Sequence, residues 1–182
     1  MHKWLLATVL LFAHISFANA QSLDNFYPNP PSPYSGFRVG MLHVSGDIIP
    51  HMKSYYEMTT PNLTQVGWQF DRKVKDLDSV RSIHLETTAM LSGFEQSIAL
   101  PSIGAIVNLR SAIGAEVGAG LILAPYGGLA LVANLGGIFK LGKKPVPINL
   151  VAAVNQRTVA ISVRINLFSS ALELPRQQAE AQ

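Results

Sequence analysis

The chain has 182 residues, with 14 basic and 11 acidic side chains, a formal net charge of +3 and no cysteine. This length suits one domain with a sizeable core, and so small an excess of basic residues argues against a nucleic-acid partner. The lack of cysteine excludes disulfides, a thiolate metal site and the lipid anchor of bacterial lipoproteins.

The first 20 residues have the pattern of a secretory signal peptide. A basic start precedes an apolar run at residues 4–13, and Ala18 and Ala20 place small side chains where a signal peptidase cleaves. The apolar run is too short to anchor the protein by spanning a bilayer. We therefore predict a signal peptide at 1–20 and an exported protein, with a proline-rich extended arm at 21–35.

The clearest structural pattern lies between residues 101 and 168, where apolar residues recur at every second position. In the last segment the alternating aliphatic residues are Val159, Ile161, Val163, Ile165 and Leu167. Since alternate side chains of a strand point to opposite faces, this period predicts β-strands rather than a helix. Short links rich in Gly, Pro, Asn and Lys separate the segments, as hairpin turns do. We predict five strands here, in an antiparallel meander.

Three more strands are predicted earlier in the chain. They lie at Phe37–His43, Val66–Phe70 and Ile83–Leu85, the last of which can continue to Met90. Residues 48–61 indicate an irregular segment, and Lys73–Asp78 indicates a polar turn. The prediction is therefore one β domain of about eight strands at 36–168, followed by a disordered polar tail at 169–182.

A stretch without charge from Val117 to Phe139 permits a competing interpretation, because uncharged apolar segments of this length can form a transmembrane helix. The stretch contains six glycines and Pro125. Each interior glycine costs a helix roughly 1 kcal/mol relative to alanine, and the Pro-Tyr-Gly-Gly sequence at its centre is a turn signal. We therefore favour two strands joined by a turn.

The side chains opposite the aliphatic row bear on whether the sheet closes. They are chiefly Gly, Ala, Asn and Ser with an occasional Arg or Glu. Such residues suit the crowded interior of a narrow barrel, and bulky aliphatic residues suit contact with lipid. We predict an all-β antiparallel meander closed into a small barrel, with a β-sandwich as the alternative. The two folds differ in whether one set of side chains points into a closed interior or out to water: Asn108, Glu116, Asn149 and Arg164.

The signal peptide, the alternation of apolar and small residues and the aliphatic last strand resemble small outer-membrane β-barrel proteins of Gram-negative bacteria. The segments Leu63–Asp71, Phe94–Gln96 and Leu100–Ser102 are also similar to a group of uncharacterised bacterial envelope proteins. In those proteins a Gly-Trp-Gln-Phe-acid strand precedes a Glu-Gln and a Leu-Pro-Ser motif. The resemblance covers about residues 62–168. It implies a sheet fold and an envelope location, and no activity.

One strand carries the residue types of a hydrolytic triad. Ser82, His84 and Glu86 share a face, as a nucleophile, a base and an orienting acid would. Successive members of such a row are about 6.5–7 Å apart along the strand, and a straight row rarely converges to hydrogen-bond distance. We predict a polar strand face without catalytic residues, and keep a lipid-modifying barrel enzyme as the one enzymatic hypothesis.

A second group of side chains would suit copper in an exported protein, since thioethers and imidazoles are copper ligands. Its members are Met41, His43, His51, Met52 and Met58. Their spacing matches no known metal motif, and methionines near aromatic residues commonly fill packing gaps. No metal, cofactor or catalytic residue is predicted.

The functional prediction is a non-enzymatic small outer-membrane β-barrel protein with a structural, adhesive or small-ligand-binding role. Its predicted partners are membrane lipid, a small apolar ligand or another envelope protein, and not nucleic acid. The alternative is a soluble periplasmic or secreted β-sandwich that binds an apolar ligand or a partner protein.

Overall fold

In this computed structural model, which describes residues 34–141 and 144–170, eight antiparallel strands close into a barrel. The strands are β1 (Ser35–Ser45), β2 (Asn62–Asp76), β3 (Arg81–Ser92), β4 (Leu100–Ser111), β5 (Ala115–Ala124), β6 (Gly128–Leu141), β7 (Lys144–Val154) and β8 (Val159–Ser170). Each strand pairs with its neighbours in the sequence, and β1 also pairs with β8. The connections contain a helix, α1 (Ile49–Tyr55), and a 3₁₀ turn at Phe94–Gln96.

The predicted fold class, an antiparallel meander closed into a small barrel, is confirmed, and the β-sandwich alternative is wrong. Residues 117–139 lie in β5, a turn and β6, so the competing helix is wrong as well. The predicted signal peptide at 1–20 lies outside the described residues, as do most of the arm at 21–35 and of the tail at 169–182.

Among the residues that the structure describes, none of the helices has the length and apolar character to cross a bilayer.

Two local predictions in the first half of the chain are wrong. β2 continues through the predicted polar turn at Lys73–Asp78 as far as Asp76, and the turn follows at 77–80. A strand ladder uses backbone groups, so the polar side chains of this segment do not end it. The predicted irregular segment at 48–61 contains α1. Pro50 lies in the first turn of α1, where the missing N–H is not needed for helical hydrogen bonds.

The barrel has two mouths, which differ in their connections. At the terminal mouth β1 begins and β8 ends, and short turns at 77–80 and 112–114 join neighbouring strands. At the capped mouth lie the connection at 46–61, which contains α1, and the connection at 93–99. The longest connection therefore lies opposite the ends of the described barrel.

An apolar cluster seals the capped mouth. Met52 of α1 and Met58 beyond it are buried, with 0% and 2% of their surface exposed. They pack in one cluster with seven side chains of the barrel and its turns: Leu42, Val44, Leu63, Leu100, Ala124, Tyr126 and Ala160. Burying a methionine side chain contributes about 1.5–3 kcal/mol, so the two methionines hold this connection over the mouth.

The charged and amide side chains of the wall point inward, together with a small apolar cluster of Ile106, Ile122, Val132 and Val151, while the outer face is apolar. The four side chains that distinguish a closed interior from a solvated face are all buried, at 0–4% exposure: Asn108, Glu116, Asn149 and Arg164. The outward-facing apolar side chains are 42–66% exposed and include Trp68, Phe70, Ile103, Val107, Val117, Leu121, Leu131, Leu150, Ile161 and Val163. The alternation in the sequence therefore separates an interior from an outer surface.

Candidate functional site

Five polar side chains form a closed hydrogen-bonded ring inside the barrel. Arg38 Nη1 donates to Glu86 Oε1 over 2.7 Å, and Arg38 Nη2 donates to Asn149 Oδ1 over 2.6 Å. Asn149 Nδ2 donates to Asn134 Oδ1 over 3.2 Å. Asn134 Nδ2 donates to Asn108 Oδ1 over 2.8 Å, and Asn108 Nδ2 closes the ring at Glu86 Oε2 over 3.1 Å. All five residues are at most 2% exposed, so the ring fills the lumen at this level.

Two inward-facing glycines make room for this ring. A Cβ at Gly118 would overlap the side-chain amide of Asn108, and a Cβ at Gly136 would overlap that of Asn149. Both glycines lie directly across the strand ladder from the asparagine concerned. The mixture of glycine and asparagine on the inner face therefore allows amide side chains to cross the lumen.

A second polar cluster surrounds Arg110. Its Nη1 donates to Asp71 Oδ2 over 2.8 Å, and its Nη2 and Nε donate to Glu116 Oε2 over 2.9 and 3.0 Å. The Tyr34 ring covers the guanidinium, with 5.4 Å between Arg110 Cζ and the ring centroid. Asn149 Nδ2 also donates to Glu116, which joins this cluster to the ring of five side chains.

The buried charges of the described barrel balance. They comprise three arginines and three carboxylates: Arg38, Arg110, Arg164, Asp71, Glu86 and Glu116. Arg38 pairs with Glu86, and Arg110 pairs with both Asp71 and Glu116. A buried charge is costly unless it is paired and hydrogen-bonded, and these contacts satisfy Arg38 and Arg110. Arg164 donates from Nε to Ser162 Oγ over 3.0 Å, and its buried Nη1 has no hydrogen-bond partner among the described residues.

Ser82, His84 and Asp71 form a line of hydrogen-bonding side chains beside Arg110. Ser82 Oγ lies 3.0 Å from His84 Nε2, and His84 Nδ1 lies 3.2 Å from Asp71 Oδ1. Asp71 and His84 are buried, whereas Ser82 is partly exposed. The arrangement supplies a hydroxyl, an imidazole and a carboxylate in the order that nucleophilic catalysis requires.

The structure brings together a different set from the row in the sequence. Ser82 and His84 do converge, contrary to the expectation for a straight strand, but Glu86 faces away from His84 toward Arg38 and Asn108. The acid is Asp71 of β2, which lies directly across the ladder from Glu86. Asp71 is therefore a diagonal neighbour of His84 on the same face of the sheet. Diagonal neighbours on one face of a sheet lie within reach of long side chains. Asp71 could not be chosen without the β2–β3 register.

A pocket of about 210 Å³ opens beside this line at the terminal mouth. Ser82, His84 and Arg110 contribute to its inner wall, and Lys73 and Arg81 also line it. Lys73 Nζ pairs with Asp76 over 2.9 Å, and the Arg81 guanidinium pairs with Asp78 over 2.7 Å. The hydrogen bond from Arg81 holds the pKa of the Asp78 carboxyl below its usual value. The Asp78 carboxylate at the edge of the pocket is therefore ionised at neutral pH.

The residues considered as copper ligands are not brought together. Met52 and Met58 lie in the apolar cluster, while Met41 and His43 are exposed. His51 is also exposed, and its ring stacks on that of Tyr55 with 5.5 Å between centroids. Within residues 34–141 and 144–170, no group of three or more His, Cys, Asp or Glu side chains is arranged to hold a metal ion.

No protein-family model matches the chain, and no curated protein matches it. The similarity to small outer-membrane barrels and to bacterial envelope proteins stays a prediction from the motifs in the sequence.

Proposed function

We propose that this protein is a small β-barrel of the outer membrane of a Gram-negative bacterium, with its outer face in contact with lipid. The observation that carries the proposal is the sorting of side chains across the barrel wall. Charged groups occupy the interior, while Val107, Leu131 and Val163 on the outside are 53%, 66% and 47% exposed.

An aliphatic belt around a barrel is unfavourable in water and favourable in lipid. Soluble monomers seldom expose a continuous apolar patch larger than a few hundred Å², whereas outer-membrane barrels carry an apolar band around their circumference. Closure also suits lipid, because no strand edge is left with unpaired backbone groups. The strands have 10 to 15 residues, and roughly 9–11 are needed to cross the bilayer.

The connections favour one orientation in the membrane. Outer-membrane barrels have short turns on the periplasmic side and longer loops on the outside. The terminal mouth, with turns at 77–80 and 112–114, would face the periplasm. The capped mouth, with α1 and the long connection at 46–61, would face the exterior.

The packed lumen supports a structural, adhesive or small-ligand-binding role over that of a diffusion pore. Arg38 and Asn149 cross the interior with 0% exposure, and the apolar cluster closes one mouth. Eight-stranded barrels are narrow enough for side chains to fill them. Lipid on the outer face is the proposed partner, with an envelope protein or a small apolar ligand as further candidates.

Membrane fractionation tests the proposal. The full chain is expressed in a Gram-negative host, the soluble fraction and the inner and outer membranes are separated, and electrophoretic mobility is compared with and without boiling. We expect recovery in the outer membrane and a mobility that changes on boiling, since a closed barrel resists detergent until it is heated. Recovery in the soluble periplasmic fraction would contradict the proposal.

A further inference from the structure

We propose that Ser82, His84 and Asp71 form a hydrolytic site for acyl esters at the terminal mouth of the barrel. The inference goes beyond the proposed structural, adhesive or ligand-binding role and takes up the lipid-modifying barrel enzyme that the sequence left as its one enzymatic hypothesis. It concerns the chemistry of one mouth, and therefore stands whichever compartment the barrel occupies.

The hydrogen bonds of Asp71 orient its carboxylate toward His84. Asp71 Oδ2 accepts from Arg110 Nη1 over 2.8 Å and from the Tyr34 N–H over 2.9 Å. The other oxygen, Oδ1, faces His84 Nδ1 at 3.2 Å. Asp71 is thereby a positioning residue, because it fixes the imidazole ring and stabilises the positive charge that the ring gains as a base.

The position of the hydrogen on the His84 ring decides whether the ring can act as a base for Ser82. Nδ1 lies 3.2 Å from Asp71 Oδ1 and 3.1 Å from Arg110 Nη1. With its hydrogen on Nδ1 the ring donates to Asp71, and Nε2 is free to accept the Ser82 proton. With its hydrogen on Nε2 the ring accepts from Arg110 and donates to Ser82, which prevents it from acting as a base. The proposal requires the first arrangement.

The Arg110 guanidinium has enough partners to permit that arrangement. Glu116 of β5 accepts from its Nε and Nη2, and Asp71 of β2 accepts from its Nη1. The tyrosine ring over it adds a further attractive contact. Glu116 and Asp71 therefore hold Arg110 in place when His84 Nδ1 donates to Asp71, but the Nη1 hydrogen that faces Nδ1 then loses its acceptor and the guanidinium charge opposes a positive charge on the ring.

The proposed reaction is an ester hydrolysis in two stages. Ser82 Oγ attacks the acyl carbonyl carbon as its proton passes to His84 Nε2. The bond from that carbon to the alcohol oxygen breaks, and the alcohol leaves with the proton from His84. A water molecule, deprotonated by His84, then displaces Ser82 from the acyl group, and Ser82 regains a proton. An ester and a water molecule thus yield a carboxylic acid and an alcohol.

The surroundings of Ser82 favour an ester with an apolar acyl chain. Lys73 and Arg81 line the pocket, each paired with a carboxylate, Asp76 or Asp78. Either cation would stabilise the negative charge that develops on the carbonyl oxygen by turning from its carboxylate toward the ester. Exposed apolar side chains lie on the strand ends and turns of the same mouth: Val74, Leu77, Val80 and Ile113, at 40–61% exposure. They would hold the acyl chain while the ester enters the pocket.

Covalent labelling tests the nucleophile directly. The full-length barrel, folded in detergent and verified by its heat-modifiable mobility, is treated with an alkyl fluorophosphonate, and the modified peptide is identified by mass spectrometry. We expect labelling at Ser82 that Ser82→Ala abolishes. The matched control is Ser45→Ala, because Ser45 is also a partly buried serine at a strand end but lies at the opposite mouth. This variant should label like the wild type.

Rates of hydrolysis of p-nitrophenyl esters of increasing acyl length show whether Ser82, His84 and Asp71 have a catalytic role or only a structural one. His84→Gln should lower kcat at least about 100-fold, the lower limit for general-base catalysis. Asp71→Asn should lower kcat with KM unchanged, since Asp71 does not touch the ester. A folded barrel whose Ser82 is not labelled, or a Ser82→Ala variant as active as the wild type, would overturn the inference. Either result would leave the proposed membrane location untouched.

Discussion

Arg38 Nη1 and Glu86 Oε1 lie 2.7 Å apart inside the barrel, and neither side chain is more than 1% exposed. Arg38 also donates to Asn149 and Asn166, and Glu86 also accepts from Asn108. The two charges are therefore paired with each other and hydrogen-bonded to neighbouring amide side chains. Because each charge is compensated by the other, the stability of the barrel should fall when one of the two residues is replaced.

Removing Arg38 should leave Glu86 as a buried charge without its partner. We expect Arg38→Met to lower the free energy of unfolding by about 3–5 kcal/mol, the range for breaking a buried ion pair. Replacing both residues with apolar ones, as in Arg38→Met with Glu86→Leu, should recover part of this loss. Denaturant unfolding in detergent micelles, followed by heat-modifiable mobility, measures both variants.

The control for this prediction is an ion pair at the surface. Lys73 and Asp76 pair over 2.9 Å with 44% and 61% of their side chains exposed. Lys73→Met should therefore cost less than about 1 kcal/mol. An equal effect of Arg38→Met and Lys73→Met would show that the buried pair is no more important than the exposed one.

Some inward-facing glycines should not tolerate a larger residue, because an added Cβ would collide with the neighbouring strand. A Cβ at Gly120 would overlap the carbonyl oxygen of Ala105 and approach the Ile106 Cα to 2.6 Å. Since these are backbone atoms that cannot move aside, we expect Gly120→Ala to destabilise the barrel by about 1–3 kcal/mol. At Gly127 the nearest atom would be Thr158 Oγ1 at 3.5 Å. Gly127→Ala should therefore change the same unfolding free energy by less than about 0.5 kcal/mol.

The sequence is sufficient to predict the strands, and it favours a closed barrel while leaving a β-sandwich as the alternative. Alternation of residues such as Val163 with Arg164 predicted the strands, and the small and amide residues predicted a crowded interior, which the structure confirms. Local period carries this information because strand geometry has a period of two. Closure itself depends on the pairing of β1 with β8, which the local pattern does not contain.

The contacts of the site depend on pairings that the local pattern does not contain. Arg38 is 48 residues from Glu86 and 128 residues from Asn166, and it meets both only because the barrel closes. Asp71 reaches His84 through the β2–β3 register. The sequence could indicate that these side chains face inward, but it could not show which of them touch.

One motif quoted for the family resemblance has a structural role in the capped mouth. Gln96 Oε1 accepts from the backbone N–H groups of Thr59 and Thr60, and its Nε2 donates to the Asn62 carbonyl. The neighbouring Glu95 accepts from the backbone N–H of Thr64 over 3.1 Å. The Glu-Gln motif of the 3₁₀ turn thus fixes the long connection to β2.

The Glu95 contact predicts a pH dependence at this mouth. Burial raises the pKa of Glu95, but hydrogen bonds, chiefly from the Thr64 hydroxyl, hold it below the usual 4.5. Since the pKa is lower in the folded protein, its stabilisation is present above the unfolded value and is lost as the pH falls through the folded value. We expect Thr64→Val to raise the pKa of Glu95 toward 4.5 in an NMR titration.

Thr158→Val is the control for this titration, because the Thr158 hydroxyl lies at the same mouth and makes no hydrogen bond within the described residues, to Glu95 or to Gln96. It removes the same chemical group from the same mouth. The pKa of Glu95 should stay where it is in the wild type. A similar rise in both variants would mean that the Thr64 hydroxyl is not the specific cause.

An arginine on the outer face should separate a lipid-facing barrel from a soluble one. Val107 lies within β4 and is 53% exposed, whereas Leu77 lies in the turn after β2 and is 47% exposed. In a bilayer, Val107→Arg should lower the free energy of unfolding by about 2–4 kcal/mol, because it places a charge near the midplane. Leu77→Arg should have little effect, since a turn beyond the strands lies in water. Unfolding in lipid vesicles measures the difference, and equal stability of the two variants would show that the outer face is not surrounded by lipid.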